Sequence, residues 1–215
     1  MSEIDAYILI GGRSSRLGSD KALVDLGGRT LAQRSYETVS EALPDSPVTF
    51  VAANEAQFAI EAIIAGGSFI FDLIPDRGPL GGLHAALSYT QKPWIFVTAC
   101  DYPFVSAELI RLLSSRISND FGAVIPEQAD GMLQPLCAFY KTEAAQALVQ
   151  QIIDRPRVPP PMHEIVEHID PLIVPFDDIA GLPGTDRVFF NVNRTSDLDL
   201  AREIERKLSR KMEIK

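Results

Sequence analysis

The feature that most constrains this chain is a short apolar run that empties directly into a glycine- and cation-rich loop. Residues Ala6 to Ile10 are apolar and suffice for one buried strand. At Gly11 the run opens into a loop holding Gly12, Gly18 and the cations Arg13, Arg16 and Lys21. Glycines let backbone amides approach an anion, and a turn of successive N–H groups forms an anion-binding concavity. The cations stand out in a chain whose formal net charge is −9. Polyphosphate suits this chemistry best; the plainer reading is a glycine-rich surface turn with solvated charges. The loop is not a Walker A motif, because no Gly-Lys-Ser/Thr closes it, and it does not match G-x-G-x-x-G.

At 215 residues the expectation is one domain, 1–215, with room for a sizeable core. The acidic balance argues against nucleic acid or an anionic membrane as a partner, since both call for a basic face. A nucleotide is different, because three local cations and a divalent metal neutralise it. Cys100 and Cys137 are the only cysteines and read as free thiols in a reducing compartment. The first residues lack the basic-then-apolar design of a signal peptide, and no apolar run reaches the roughly 18 residues of a span. The expectation is a soluble, cytoplasmic protein.

The rest of the chain alternates strand and helix. Asp25 to Arg29 reads as a turn, and Thr30 as the cap of a helix to about Leu43. Strands follow over 48–52 and 68–71, with a helix over 55–64 between them. Such alternation signals βαβ units and a mainly parallel sheet. Ligands gather outside the carboxyl ends of such strands, so each loop after a strand is a candidate site.

The loop over 72–83 opens a helix at Gly78-Pro79-Leu80, with proline preset for the first turn. Gly81 and Gly82 allow either a ligand to approach the helix start or the helix to pack closely on a strand. The most apolar strand, 94–99, runs into Cys100-Asp101-Tyr102-Pro103. An aspartate at the end of a buried central strand is placed to hold Mg²⁺, which takes one or two carboxylates plus substrate phosphates; the alternative is a cap for the helix starting near Ser106. Cys100 reads as a buried thiol, and His84 as a packed or solvated residue.

A helix is expected over 109–117, a strand over 122–126, a hairpin turn at 127–131, a strand over 132–140 and a helix over 142–153. Pro159, Pro160 and Pro161 mark an extended connector. His163 and His168 are spaced wrongly for one helix face, which rejects a zinc site. After a strand over 172–176, Asn191 and Asn193 in an extended run offer two amides to one side. A closing helix to about Arg210 is capped by Thr195 or Ser196.

Four separated motifs together resemble the molybdenum cofactor guanylyltransferases, the MobA-like family of nucleotidyltransferases. Leu9-Ile10-Gly11-Gly12 with Ser15-Arg16-Leu17-Gly18 and Asp20-Lys21 resembles L-A-G-G-x-S-x-R-M-G-x-D-K. Arg77-Gly78-Pro79-Leu80 with Gly82-Leu83 resembles R-G-P-L-x-G-I/L, Cys100-Asp101-Tyr102-Pro103 resembles C-D-x-P, and Phe190-Asn191-Val192-Asn193 resembles the closing motif. The resemblance implies an α/β, Rossmann-like three-layer sandwich with a mainly parallel sheet, similar to the nucleotide-diphospho-sugar transferases. It also implies Mg²⁺-dependent transfer of GMP from GTP to the phosphate of molybdopterin, and possible handover to other cofactor-assembly proteins.

By the same resemblance Arg16, Lys21 and Asp101 are catalytic, the two cations on the β- and γ-phosphates and Asp101 on Mg²⁺. Nucleotide binding falls to Leu9, Ile10, Gly11, Gly12, Lys21, Asp72, Gly78, Pro79, Leu80 and Asp101. Ala52 stands where the guanylyltransferases often carry a base-contacting asparagine, and Asn54 nearby is the candidate for that contact. Gln134, Pro135, Asn191 and Asn193 are assigned to the acceptor. Gly11-Gly12 favours guanine, because the related cytidylyltransferases resemble L-A-A-G there. The alternatives are a cytidylyltransferase, a sugar-1-phosphate nucleotidyltransferase and a non-catalytic nucleotide-binding regulatory domain.

Overall fold

The first strand, β1 (Ile4–Leu9), is apolar on both faces: Ala6 and Ile8 join the core on one side of the sheet, Tyr7 and Leu9 the core on the other. A strand without a polar face belongs inside a sheet covered on both sides. The computed structural model describes residues 3–11, 20–53, 67–153 and 162–213. The helix expected over 55–64, the prolines at 159–161, and Gly12, Arg16 and Asn54 lie outside the described residues.

A single 3₁₀ turn, Lys21–Leu23, leads into the hairpin of β2 (Asp25–Leu26) and β3 (Arg29–Thr30). Gly27 and Gly28 form its two-residue turn at φ 68° and 83°, the left-handed geometry that suits a tight hairpin. Next comes α1 (Leu31–Ala42), opened by a reciprocal capping box between Thr30 and Gln33. Then follow β4 (Val48–Ala52), β5 (Ser68–Phe71), α2 (Gly78–Tyr89), β6 (Trp94–Ala99) and α3 (Ala107–Ser114). The second half holds β7 (Ala123–Pro126), β8 (Cys137–Lys141), α4 (Thr142–Ile153), α5 (Met162–His168), β9 (Pro171–Val174), the single turn α6 (Phe176–Ile179) and α7 (Thr195–Glu213).

Seven strands form one sheet in the order β5-β4-β1-β6-β8-β7-β9. β8 runs antiparallel to β6 and β7, and the remaining pairs are parallel. Helices α1 and α3 pack Val39, Ile110 and Leu113 on one face beside Phe50, Phe96 and Phe139. Helices α2, α4 and α5 pack Leu83, Val149 and Ile165 on the other beside Tyr7, Ile95 and Tyr140. This is the expected three-layer α/β arrangement. Sequential connections leave β1 toward β4 on one side and reach β6 on the other, so the carboxyl ends of β1 and β6 flank the point where the strand order reverses.

A third apolar cluster of Val24, Leu26, Leu31, Val192, Leu198 and Ala201 fastens the β2–β3 hairpin to α7. Beside it Arg34 grips Glu205 through two bonds of 2.8 and 3.0 Å and also donates to the Leu26 carbonyl. No helix among the described residues is long and apolar enough to cross a membrane.

Several boundaries differ from expectation for local reasons. Helix α3 starts at a Ser106 cap, where the sequence places one, but the tail expected to Ile117 tightens into i→i+3 bonds from Arg116 and Ile117. The strand expected over 132–140 begins only at Cys137, because Pro135 has no N–H and the Cys137 amide turns back to the Gln134 carbonyl. The late strand ends at Val174, since Pro175 caps the helical turn at Phe176. The closing helix runs to Glu213, and its start is satisfied neither by Thr195 nor by Ser196. Asp197 Oδ2 instead accepts the Asn193 and Arg194 amides at 2.9 Å each. Residues up to Phe189 are coiled into turns, and 190–193 join no strand, so the extended run expected there is not part of a sheet.

Candidate active site

Parallel strands bring their carboxyl ends to one edge, and the described segments that follow β1, β5, β6 and β7 lie there. Asp20 sets the first side chain. Its carboxylate accepts the Ala22 amide at 3.0 Å and caps the 3₁₀ turn, while Ala22 is fully buried beneath it. That fixes the backbone of Lys21, whose Nζ lies 2.6 Å from Asp101 Oδ2 and 2.7 Å from Asn193 Oδ1. Three segments far apart in sequence converge on one ammonium. The backbone ties them as well: Cys100 N–H donates to the Leu9 carbonyl at 3.1 Å, and Val192 N–H to the Asp101 carbonyl at 2.9 Å.

Asp101 Oδ1, the oxygen not taken by Lys21, is buried and has no hydrogen-bond partner among the described residues. An unpaired buried carboxylate oxygen is costly, and a divalent cation satisfies it. Among the described residues no group of three or more His, Cys, Asp or Glu side chains gathers to hold a metal. The donor set therefore fits a cation held by one carboxylate and completed by substrate phosphates, the habit of Mg²⁺.

On the β4–β5 side, the side chains of Leu9 and Ile10 are core residues, and the Ile10 and Gly11 amides both donate to the Val51 carbonyl. Gly11 itself is exposed, and a Cβ there would sit 2.9 Å from the Ala53 nitrogen. Asp72 follows β5, with its amide on the Ala52 carbonyl. Burial pushes its carboxyl up to about 6. Gly78, at φ 54°, and Pro79 are exposed at the start of α2, where the N-cap residue Arg77 makes no side-chain capping bond. Leu80 points into the core. A Cβ on Gly82 would stand 2.9 Å from Leu9 Cδ2, and one on Gly81 3.3 Å from Asp72 Oδ2. Of the two readings of these glycines, close helix–strand packing is therefore real at Gly82. Gly81 keeps room for the Asp72 carboxylate.

On the other side of Asp101 the β7–β8 hairpin brings in Gln134, which is only 5% exposed. The Tyr102 hydroxyl donates to Gln134 Oε1 at 3.1 Å, and Gln134 Nε2 donates to Gln128 Oε1 at 2.7 Å. Asn191 Oδ1 is buried without a partner among the described residues. The Pro135 carbonyl accepts from the Tyr140 hydroxyl at 2.6 Å. Asp20, Tyr102 and Gln128 escaped the sequence reading. Asp20 had a usable signal as the residue before Lys21 in the loop pattern, whereas Tyr102 and Gln128 had none. Cys100 is buried, and burial followed by the neighbouring Asp101 charge pushes its thiol well above the usual range.

The chain as a whole is similar to known proteins. The family model for the MobA-like NTP transferase domain matches residues 6–159. The chain is 30% identical to a molybdenum cofactor guanylyltransferase of Desulfosudis oleivorans, over 71% of this chain and 72% of that one. It is also 30% identical to a probable molybdenum cofactor guanylyltransferase of Pelotomaculum thermopropionicum, covering 94% and 93%. The crystal structure of a molybdopterin-guanine dinucleotide biosynthesis protein A from Archaeoglobus fulgidus superposes with a TM-score of 0.78 at 27% identity, covering 94% and 99%.

Proposed function

The chain belongs to the MobA-like NTP transferase family and is a nucleotidyltransferase; on that premise we propose that it transfers GMP from GTP to the phosphate of molybdopterin. The observation that carries this reading is the convergence of Lys21, Asp101 and Asn193 at the carboxyl ends of β1 and β6.

The nucleophile is an acceptor phosphate oxygen, already anionic, so no strong general base is needed. It attacks the α-phosphorus of GTP, a new P–O bond forms, the bond to the β-phosphate oxygen breaks, and pyrophosphate leaves with the negative charge. The protein contributes position and charge. Lys21, with Arg16, meets the β- and γ-phosphates and neutralises the leaving group. Asp101 would hold Mg²⁺ through Oδ1, and the ion supplies charge neutralisation when bound. Gly11, Gly12 and the exposed start of α2 at Gly78-Pro79 receive the nucleotide. Asp72 accepts from the N1–H and N2–H₂ edge of guanine, two adjacent donors that suit a carboxylate and that cytosine lacks. Asn191 and Asn193 face the acceptor.

Melting the protein with Mg²⁺ and each of GTP, CTP, ATP and UTP tests the reading. A ligand at ~100 times its Kd adds roughly 2.7 kcal/mol. Stabilisation by GTP alone, lost in Asp101→Ala, is expected. A CTP-only shift would overturn the base assignment, and no shift with any nucleotide would overturn nucleotide transfer as the function.

A further inference from the structure

A protein that holds a divalent cation unaided needs an excess of negative charge, normally several oxygen ligands of its own. The carboxyl end of β6 does not provide that excess. Asp101 stands there with Lys21 Nζ 2.6 Å from its Oδ2, so the two charges cancel. Asn193 Oδ1, 2.7 Å from the same ammonium, adds a dipole and no charge. Asp20, next to Lys21 in the chain, has its carboxylate on the Ala22 amide at 3.0 Å. No group of three or more His, Cys, Asp or Glu side chains gathers among the described residues. With the Lys21 and Asp101 side chains only 18% and 17% exposed, water weakens the repulsion between the ammonium and a second cation only in part. The ammonium nevertheless keeps something in hand. It has three N–H donors, of which Asp101 and Asn193 take two, leaving one for a phosphate oxygen.

We propose that Lys21 makes cation and nucleotide bind as a pair: its charge, set on the metal carboxylate, keeps Asp101 from holding a divalent cation until phosphates arrive to balance both. This deepens the reading of the protein as a nucleotidyltransferase and rests on it. Lys21 then has two tasks, attracting the phosphates and denying Asp101 Oδ1 to an ion that comes without them. The coupling is reciprocal, so a nucleotide that raises the affinity for the cation is itself bound more tightly by the same factor when the cation is present. Release follows from the same charges. Once pyrophosphate has left, Lys21 again neutralises Asp101, and the carboxylate no longer retains an ion between turnovers.

Titration of the full chain with Mn²⁺, read by its electron-spin signal, tests this without nucleotide or acceptor. Lys21→Met and Lys21→Gln remove the charge and keep an unbranched stem. Each should bind Mn²⁺ about tenfold more tightly than the wild type, within the range usual for coupling between sites. Lys21→Arg keeps the charge and should bind as weakly as the wild type, and adding Asp101→Asn to Lys21→Met should abolish the gain. With GTP present, Mn²⁺ affinity should rise in the wild type and rise less in the neutral variants. A neutral variant that melts like the wild type and binds Mn²⁺ no more tightly, absent binding by both included, would overturn the proposal. So would an equal gain in Lys21→Arg, a gain that survives Asp101→Asn, or a GTP effect as large without the lysine charge as with it. If no nucleotide binds or none is transferred, it is the assigned function that fails, and the titration without nucleotide still decides what Lys21 does to the carboxylate.

Discussion

Lys21 Nζ and Asp101 Oδ2 lie 2.6 Å apart, with side chains 18% and 17% exposed, beside the β1–β6 point where strand order reverses. The lysine covers one carboxylate oxygen and leaves Oδ1 buried and unpartnered among the described residues. Two opposite charges are thus stored next to each other, each with its task still to do. In the proposed transfer reaction, substrate phosphates would compete for the ammonium and the accompanying cation for the carboxylate.

Replacement of the carboxylate separates chemistry from folding. Asp101→Ala should lower pyrophosphate release about 10³-fold, the scale seen when a group stabilising developing charge is removed. Its melting temperature should stay close to that of the wild type, since the lost partner is a single lysine at the rim of the fold. Product at the wild-type rate would show that Asp101 is not the metal carboxylate.

The buried carboxyl of Asp72 gives a pH dependence with a definite sign. Burial raises it from 3.8 to about 6. Between those values the folded chain holds a proton that the unfolded chain does not, so this group favours folding at low pH, and the benefit is lost as pH rises through about 6. Asp72→Asn should therefore be the more stable protein at pH 7.5, by about 1 kcal/mol once partial exposure is discounted, and should match the wild type below pH ~3.8. If the carboxylate reads guanine, GTP affinity of the wild type should fall as pH drops through about 6, and Asp72→Asn should bind GTP weakly throughout. Denaturant melts and titration calorimetry across that range check both.

The Arg34–Glu205 pair joins α1 to α7 with side chains only 12% and 16% exposed. Glu205→Ala leaves a largely buried guanidinium with the Leu26 carbonyl as its remaining partner and should cost about 2 kcal/mol, or roughly 4–8 °C in Tm. Because α7 begins at the segment carrying Asn193, the KM for the acceptor should rise as well. Replacing both partners with apolar residues, Arg34→Met with Glu205→Leu, should recover most of the stability, because it is the unpaired charge that costs most. Calorimetric melting of the three variants reads this directly.

Both cysteines are inert by burial. Cys137 lies on β8 with its thiol pushed up to about 12, and Cys100 is raised further. A thiolate-specific reagent at pH 8 should label neither in the folded protein and both after denaturation. Rapid labelling of the native protein would show that the end of β6 opens.

Much of this fold is written locally. The apolar runs at 48–52, 68–71 and 94–99 are strands at the expected bounds, and Thr30 with Gln33 caps α1 as its sequence implies. The errors fall where tertiary partners override local pattern. Residues 132–136 look strand-like, yet Gln134 is drawn inward by Tyr102 and Gln128. Thr195 and Ser196 look like caps, yet the carboxylate one turn inside the helix reaches back first. The site splits in the same way. Lys21, Asp72, Asp101, Asn191 and Asn193 are the candidates that motif or place at a strand end singles out. Tyr102 is not among them, because its hydrogen-bond partner, Gln134, is distant in sequence.

The contact between Lys21 and Asn193 spans 172 positions of the chain. At a synthesis rate of ~5–20 residues per second, roughly 10–30 s pass on the ribosome between the making of one and of the other. Throughout that interval the nascent polypeptide has its lysine and later its aspartate, but not the asparagine that completes their arrangement. Translation itself thus works as a timer, withholding the finished arrangement of Lys21, Asp101 and Asn193 until long after the lysine has been made.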